Sequence, residues 1–180
     1  MEHKLRTEFV KDYVAPYGQE VSYGKIALEE HYESPHWEAT GDPQNETARN
    51  KEDYFEAVKA RLHSPEIRIA EMDRNGVEMF IMSLTQPGIQ EVLDTEEAVK
   101  RAHEMNIWIY ENYIQKYPKR FNAFAAVALQ DPEAAAKELE FCVKELGFVG
   151  ALVNGYTMKM TKTILNIWTK NRIFLFGKNL

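Results

Sequence analysis

Apolar residues in this chain alternate between short continuous runs and longer stretches with helical spacing. Lys25-Ile26-Ala27-Leu28 reads as a buried strand that leads into Glu29-Glu30-His31-Tyr32-Glu33. Val77 to Leu84 (VEMFIMSL), Phe121 to Leu129 (FNAFAAVAL) and Phe148 to Val153 (FVGALV) are further apolar runs. Such runs have both faces covered, as in a parallel sheet. Between them, Tyr54, Phe55, Val58 and Leu62 have helical spacing over 52–63. Ser64 predicts an N-cap with Pro65 at the first helical position, for a helix through Ile67, Ile69, Ala70 and Met72 that closes at Asn75-Gly76. Residues 95–117 predict a long amphipathic helix, opened by Asp94 or Thr95 with Glu97 nearby and closed before Pro118. Asp131-Pro132 caps a helix that runs to Leu146-Gly147. Residues 1–23, broken by Pro16 and Gly18, read as a loosely attached extension, and 34–51 as a long loop.

The order strand, helices, strand, helix, strand, helix, strand implies an α/β fold with a parallel sheet and right-handed crossovers. Four such units are half of a (β/α)8 TIM-type barrel, which takes ~250 residues when whole. An open α/β sheet of four or five strands gives the same pattern, and periodicity does not separate the two. No glycine-rich phosphate loop follows the first strand, which argues against a nucleotide-binding Rossmann unit.

Composition narrows the function. A net charge of −6 argues against nucleic acid as a partner. No apolar run approaches the ~20 residues that span a bilayer, so no membrane partner is expected. The N-terminus has no apolar core of signal-peptide type, and the expected location is cytoplasmic. A single cysteine, Cys142, excludes an internal disulfide framework, and its place among Leu139, Phe141 and Val143 suggests a buried, inert thiol. The average charge hides a break. Residues 158–180 hold five of the 22 basic residues and none of the 28 acidic ones, leaving residues 1–157 at −11.

Glu29, His31 and Glu33 lie at i, i+2 and i+4 and share one face if the strand continues through them. They stand at the C-terminal end of the first strand, where β/α barrels place their active sites. A carboxylate and an imidazole two residues apart can both reach one divalent ion. A solvated strand end explains the same residues, and two ligands do not make a site. His36 adjoins this place in the loop. His63 and His103 fall on helices, on the outer surface, and His3 in the extension. Gln86-Pro87-Gly88 and Asn154-Gly155 follow the second and fourth strands; they can shape a pocket at the same barrel face, or simply make turns.

GKIALEEHY (24–32), DRNGVEMFIMSLTQPGIQ (73–90), YPKRFNAFAAVALQDPEAAAKELEFCV (117–143) and LGFVGALVNGYT (146–157) resemble the N-terminal half of the dihydroxybenzoate decarboxylases of the amidohydrolase superfamily, the γ-resorcylate and 2,3-dihydroxybenzoate type. Those enzymes are similar in turn to aminocarboxymuconate-semialdehyde decarboxylase. The resemblance covers residues 24–157, or 134 of 180. It implies a metal-dependent barrel that removes carboxylate from a small aromatic carboxylic acid without oxidation, and a homo-oligomeric parent. It implies Glu29 and His31 as metal ligands for one divalent ion, zinc or manganese with magnesium as a further option. Asn154, by its place in the loop after the fourth strand, is the candidate substrate-binding residue. The family's remaining ligands, a histidine in a His-Pro-Arg segment and an aspartate that also serves proton transfer, have no counterpart. No histidine lies beyond His103 and no aspartate beyond Asp131, so no catalytic acid is assigned. A metal-dependent hydrolase on the same barrel, and a non-catalytic half-barrel that assembles with a partner, are the alternatives.

After Thr157 the family continues with an acidic loop and a segment ending Phe-Trp-Glu. Reading the third base of each codon from Lys159 onward with the first two of the next, under suitable synonymous codons, yields an acidic sequence that ends Phe-Trp-Glu. Met160 before Thr161 forces an aspartate in that frame, as does Trp168 before Thr169. Residues 158–180 are therefore expected to be a frameshifted tail on a truncated chain without appreciable turnover. The alternative is a basic amphipathic helix built on Ile164, Leu165 and Trp168.

Overall fold

The computed structural model describes residues 24–35, 37, 52–157, 166–167 and 172–175. The extension 1–23, most of the loop 34–51, with His36, and most of the tail lie outside them, as does His3.

The elements run β1 (Lys25–Tyr32), α1 (Glu52–His63), α2 (Pro65–Asn75), β2 (Val77–Leu84), a 3₁₀ turn (Gly88–Glu91), α3 (Thr95–Ile109), β3 (Phe121–Ala125), α4 (Pro132–Lys144) and β4 (Gly150–Val153), followed by the short strands β5 (Tyr156–Thr157), β6 (Asn166–Ile167) and β7 (Arg172–Leu175). Strands β1 to β4 are parallel and adjacent in chain order. This is the half-barrel arrangement, with helices in the crossovers. Beyond β4 the sheet continues with β7, which pairs antiparallel to it through Gly150↔Leu175 to Val153↔Arg172, while β5 and β6 form a separate pair.

Local chemistry sets the helix starts. The Ser64 Oγ accepts from the Ile67 amide at 3.3 Å, and Gly76 closes α2 with a φ of 65° that side chains with a Cβ rarely adopt. The Asp94 carboxylate accepts from the Glu97 amide, and that of Asp131 from the Glu133 and Ala134 amides. Three expected elements are shorter than their apolar runs. The helix over 95–117 is α-helical only to Ile109 and then widens into a π-turn over Tyr110–Ile114, where Gln115 N–H reaches back to the Tyr110 carbonyl. The third strand stops at Ala125, since Ala126 turns both its backbone groups to Asn106 instead of to a neighbouring strand. The fourth strand begins at Gly150 because Phe148 N–H is still bonded to the end of α4, at the Cys142 carbonyl.

Register divides the sheet into two faces. Phe80, Met82, Phe121 and Ala123 pair across β2 and β3 and look toward the helices. There Tyr113 of the π-turn meets Phe121 edge-on with ring centroids 5.1 Å apart, and Tyr32 stacks on Trp108. Met82, Met105, Ile109, Tyr113, Phe121 and Ala123 are all 2% exposed or less, so this interface is the core. Ile81, Ser83, Phe124 and Leu152 belong to the opposite, inner face.

Candidate functional site

β1 is not a regular strand. Ala27 pairs with Phe80 and Glu30 with Met82, so Leu28 and Glu29 together stand opposite the single residue Ile81. This is a bulge, a device that re-aims side chains beside functional sites. Glu29 carries the strain: its φ is 61°, left-handed backbone for a residue with a Cβ, at a cost of order 1 kcal/mol or more. Beyond the bulge, His31 lies against Ser83 and Tyr32 against Leu84. The His31 ring is therefore on the inner face, with its Nδ1 3.5 Å from the Ser83 Oγ.

The expectation that Glu29, His31 and Glu33 share one face is corrected here. The bulge breaks the alternation, and the strand ends at Tyr32. Glu33 is 6% exposed, donates its amide to the Leu62 carbonyl, and pairs its carboxylate with His63 Nε2 at 3.3 Å. His63, on α1 with about a third of its side chain exposed, is thus engaged with the end of β1. His103 is on the outer surface as expected, paired with Glu138 at 3.1 Å. Among the described residues no group of three or more His, Cys, Asp or Glu side chains could hold a metal ion. Glu29 and His31 offer one oxygen and one nitrogen donor of the kind that manganese or zinc accepts, half of a complete set.

Arg68, which the sequence reading passed over, lies beneath this strand end. It is 5% exposed and reaches up from α2. Its guanidinium donates to the backbone carbonyls of His31 and, at 2.6 Å, Arg61; it also stands 3.8 Å from the Glu30 carboxylate and 5.9 Å from the Phe80 ring centroid. Burial pulls its pKa down, against the favourable influence of Tyr113 and Glu30. The signal was available: Arg68 is in helical phase with buried Met72, four residues on.

A small cleft opens on the inner side at the C-terminal ends of β2, β3 and β4, lined among others by Leu84, Gly88, Phe124, Ala126, Leu152 and Asn154. The loop residues singled out in the sequence meet here. Asn154 donates its amide N–H to the Gln90 side-chain oxygen at 2.5 Å and its Nδ2 to the Pro87 carbonyl at 2.9 Å. The Gln90 Nε2 donates back to the Asn154 carbonyl and to Thr157 Oγ1. Because the Pro87 carbonyl can only accept, it fixes which way the Asn154 amide faces. The buried Oδ1 of Asn154 is then left without a hydrogen-bond partner among the described residues. Gly88 comes close enough, at a φ of 63°, that an added Cβ would lie 3.8 Å from the Asn154 amide. Cys142 takes no part: it is fully buried, and burial together with the Glu138 carboxylate pushes its thiol pKa up.

The amidohydrolase family model matches residues 33–159. A gamma-resorcylate decarboxylase of Polaromonas sp. is 43% identical over 136 residues, which is 74% of this chain and 40% of that protein. One of Rhodococcus jostii is 42% identical over 139 residues, 77% of this chain and again 40% of the relative. A crystal structure of the Polaromonas dihydroxybenzoic acid decarboxylase with bound manganese and 2-nitroresorcinol superposes with a TM-score of 0.68 at 38% identity, over 80% of this chain and 42% of that one. A 2,6-dihydroxybenzoate decarboxylase complexed with 2,6-dihydroxybenzoate gives a TM-score of 0.67 at 39% identity, over 80% and 43%. The chain spans about two fifths of the length of the curated relatives it matches.

Proposed function

Since the chain belongs to the amidohydrolase family, we propose that it is the N-terminal part of a metal-dependent, non-oxidative decarboxylase of hydroxybenzoate-like aromatic acids. The observation that carries this reading is the placement of the Glu29–His31 pair at the C-terminal end of β1, on the sheet whose inner face also bears the Asn154 cleft. Similarity to decarboxylases of 2,6-dihydroxybenzoate supports the substrate class. The Polaromonas decarboxylase structure contains bound manganese, which supports one divalent ion here, manganese or zinc. The reading places the protein in the cytoplasm; among the described residues no helix is long and apolar enough to cross a membrane.

Each residue then has a task. Glu29 and His31 hold the ion, with Ser83 beside the His31 ring. When bound, the ion orients the acid and stabilises the charge that develops as the ring loses aromaticity. Asn154, fixed by Gln90 and Pro87, offers Oδ1 to a phenolic hydroxyl of the substrate. Phe124 and Leu152 supply apolar walls for the ring. A proton must reach the ring carbon as carbon dioxide leaves, and no residue lining the described cleft is suited to deliver it, so no appreciable turnover is expected of the 180-residue chain alone. Residues 158–180 belong, on this reading, to a shifted frame and not to the enzyme.

The test is a chimera that carries residues 24–157 in place of the matching part of the Polaromonas relative. With manganese it is expected to release carbon dioxide from 2,6-dihydroxybenzoate, and Glu29→Gln or His31→Ala to lower kcat/KM by more than about 100-fold. A folded chimera inactive on hydroxybenzoates, or turnover by the isolated chain, contradicts the proposal.

A further inference from the structure

We propose that Arg68 is the positioning residue of the Glu29–His31 strand end: its guanidinium, anchored to the end of α1, clamps the strand just past the bulge and so fixes where the two donors project. The inference rests on the metal reading given above for its purpose, but its geometry stands alone.

A left-handed Glu29 persists only if the surroundings over-determine it. On one side that is done by the pairing of Glu30 with Met82 and His31 with Ser83. Away from β2, Arg68 ties the same residues to the helices. Its Nη2 donates to the His31 carbonyl, its Nη1 faces the Glu30 carboxylate at 3.8 Å, and its Nε is tied to the Arg61 carbonyl at 2.6 Å. Both residues after the bulge are held, one by backbone and one by side chain. The hold comes from the helix side, while the His31 ring lies on the inner face near Ser83, so Arg68 acts on the imidazole through the peptide and not by touching it.

The choice of arginine fits this role. A buried cation is costly unless its donors are used. Two carbonyls in different elements and one carboxylate match a planar fork; an ammonium on a flexible stem cannot span them. The guanidinium carbon lies 5.9 Å from the Phe80 ring centroid, within cation–π range.

Arg68→Met and Arg68→Lys, made in the 180-residue chain, test the clamp. Amide hydrogen exchange at Glu30, His31 and Tyr32 is compared with that of the β3 core, and manganese is titrated while the His31 ring signal is followed by NMR, with the His103 ring as reference. In Arg68→Met, exchange at 30–32 is expected to accelerate by about 10-fold or more while Phe121–Ala125 stay protected. The manganese concentration that broadens His31 is expected to rise roughly 10–100-fold. Lysine should restore neither value, and it decides the matter should the methionine variant not fold. Unchanged exchange at 30–32, or full rescue by lysine, overturns the proposal. If manganese leaves His31 of the unmodified chain untouched, two donors do not hold the ion without the rest of the set, the chimera decides the metal reading, and the exchange comparison decides the clamp.

Discussion

At the scale of single residues, buried amides do much of the organising. Asn106 is fully buried on α3. It accepts the Ala126 N–H at 2.8 Å, and its Nδ2 donates to the Ala126 carbonyl and to the Glu138 carboxylate, each at 2.9 Å. It therefore completes the hydrogen bonding of the residue at which β3 gives way to the cleft. Asn106→Ala strands both Ala126 backbone groups in the interior, at about 1–3 kcal/mol for each orphaned group. Urea unfolding should show a loss of at least ~2 kcal/mol. A change within about 0.5 kcal/mol, the range of an ordinary surface substitution, would mean that water or a neighbour replaces the amide.

At the scale of elements, one joint between helices carries a pH response. Glu66 stands in the first turn of α2, and its carboxylate accepts from Tyr117, beyond the π-turn, at 2.9 Å and from Ser64 at 3.0 Å. A backbone hydrogen bond, then Tyr117, then Ser64 hold its pKa below the usual carboxylate value. A depressed folded pKa gives stability that is present above the unfolded value of ~4.3 and is lost as pH falls through the folded one. Glu66→Gln is thus expected to be less stable than the parent chain near neutral pH, with the difference shrinking below ~4.3 and vanishing under the folded pKa. Urea melts between neutral and acid pH measure this. A gap that persists unchanged into strong acid would assign the effect to packing. Because Glu66 is exposed, the effect is modest.

At the scale of the whole molecule, the sheet has unequal edges. β4 is covered by the antiparallel β7, where a barrel would place its next parallel strand. β1 has β2 on one side, and its Ile26 and Leu28 are each 55% exposed. Exposed strand edges and apolar positions suit a body that continues into further structure. The coding DNA beyond codon 157 should therefore hold an acidic, barrel-like continuation in the neighbouring frame. An unbroken genomic frame that gives the same tail, with nothing barrel-like beside it, would sink the frameshift explanation.

The sequence by itself determined the elements and their order. Apolar periodicity, the Ser64 and Asp131 caps and Gly76 are local, and each acts within a few residues of itself. It determined the charge break at 158 and, through the E-x-H pair and the long family blocks, the region where chemistry should lie. Tertiary structure alone decided how that region is built. The bulge at Glu29 depends on register against Ile81, which no period-2 rule contains. Glu33 left the expected face because the strand ends at Tyr32, and its carboxylate meets His63, 30 positions away. Arg68 and Gln90 matter through partners 37 and 64 residues distant. Local pattern reports which face of an element is apolar; only the folded sheet brings a helix arginine under a strand carbonyl, because that contact is a fact of distance in space and not along the chain.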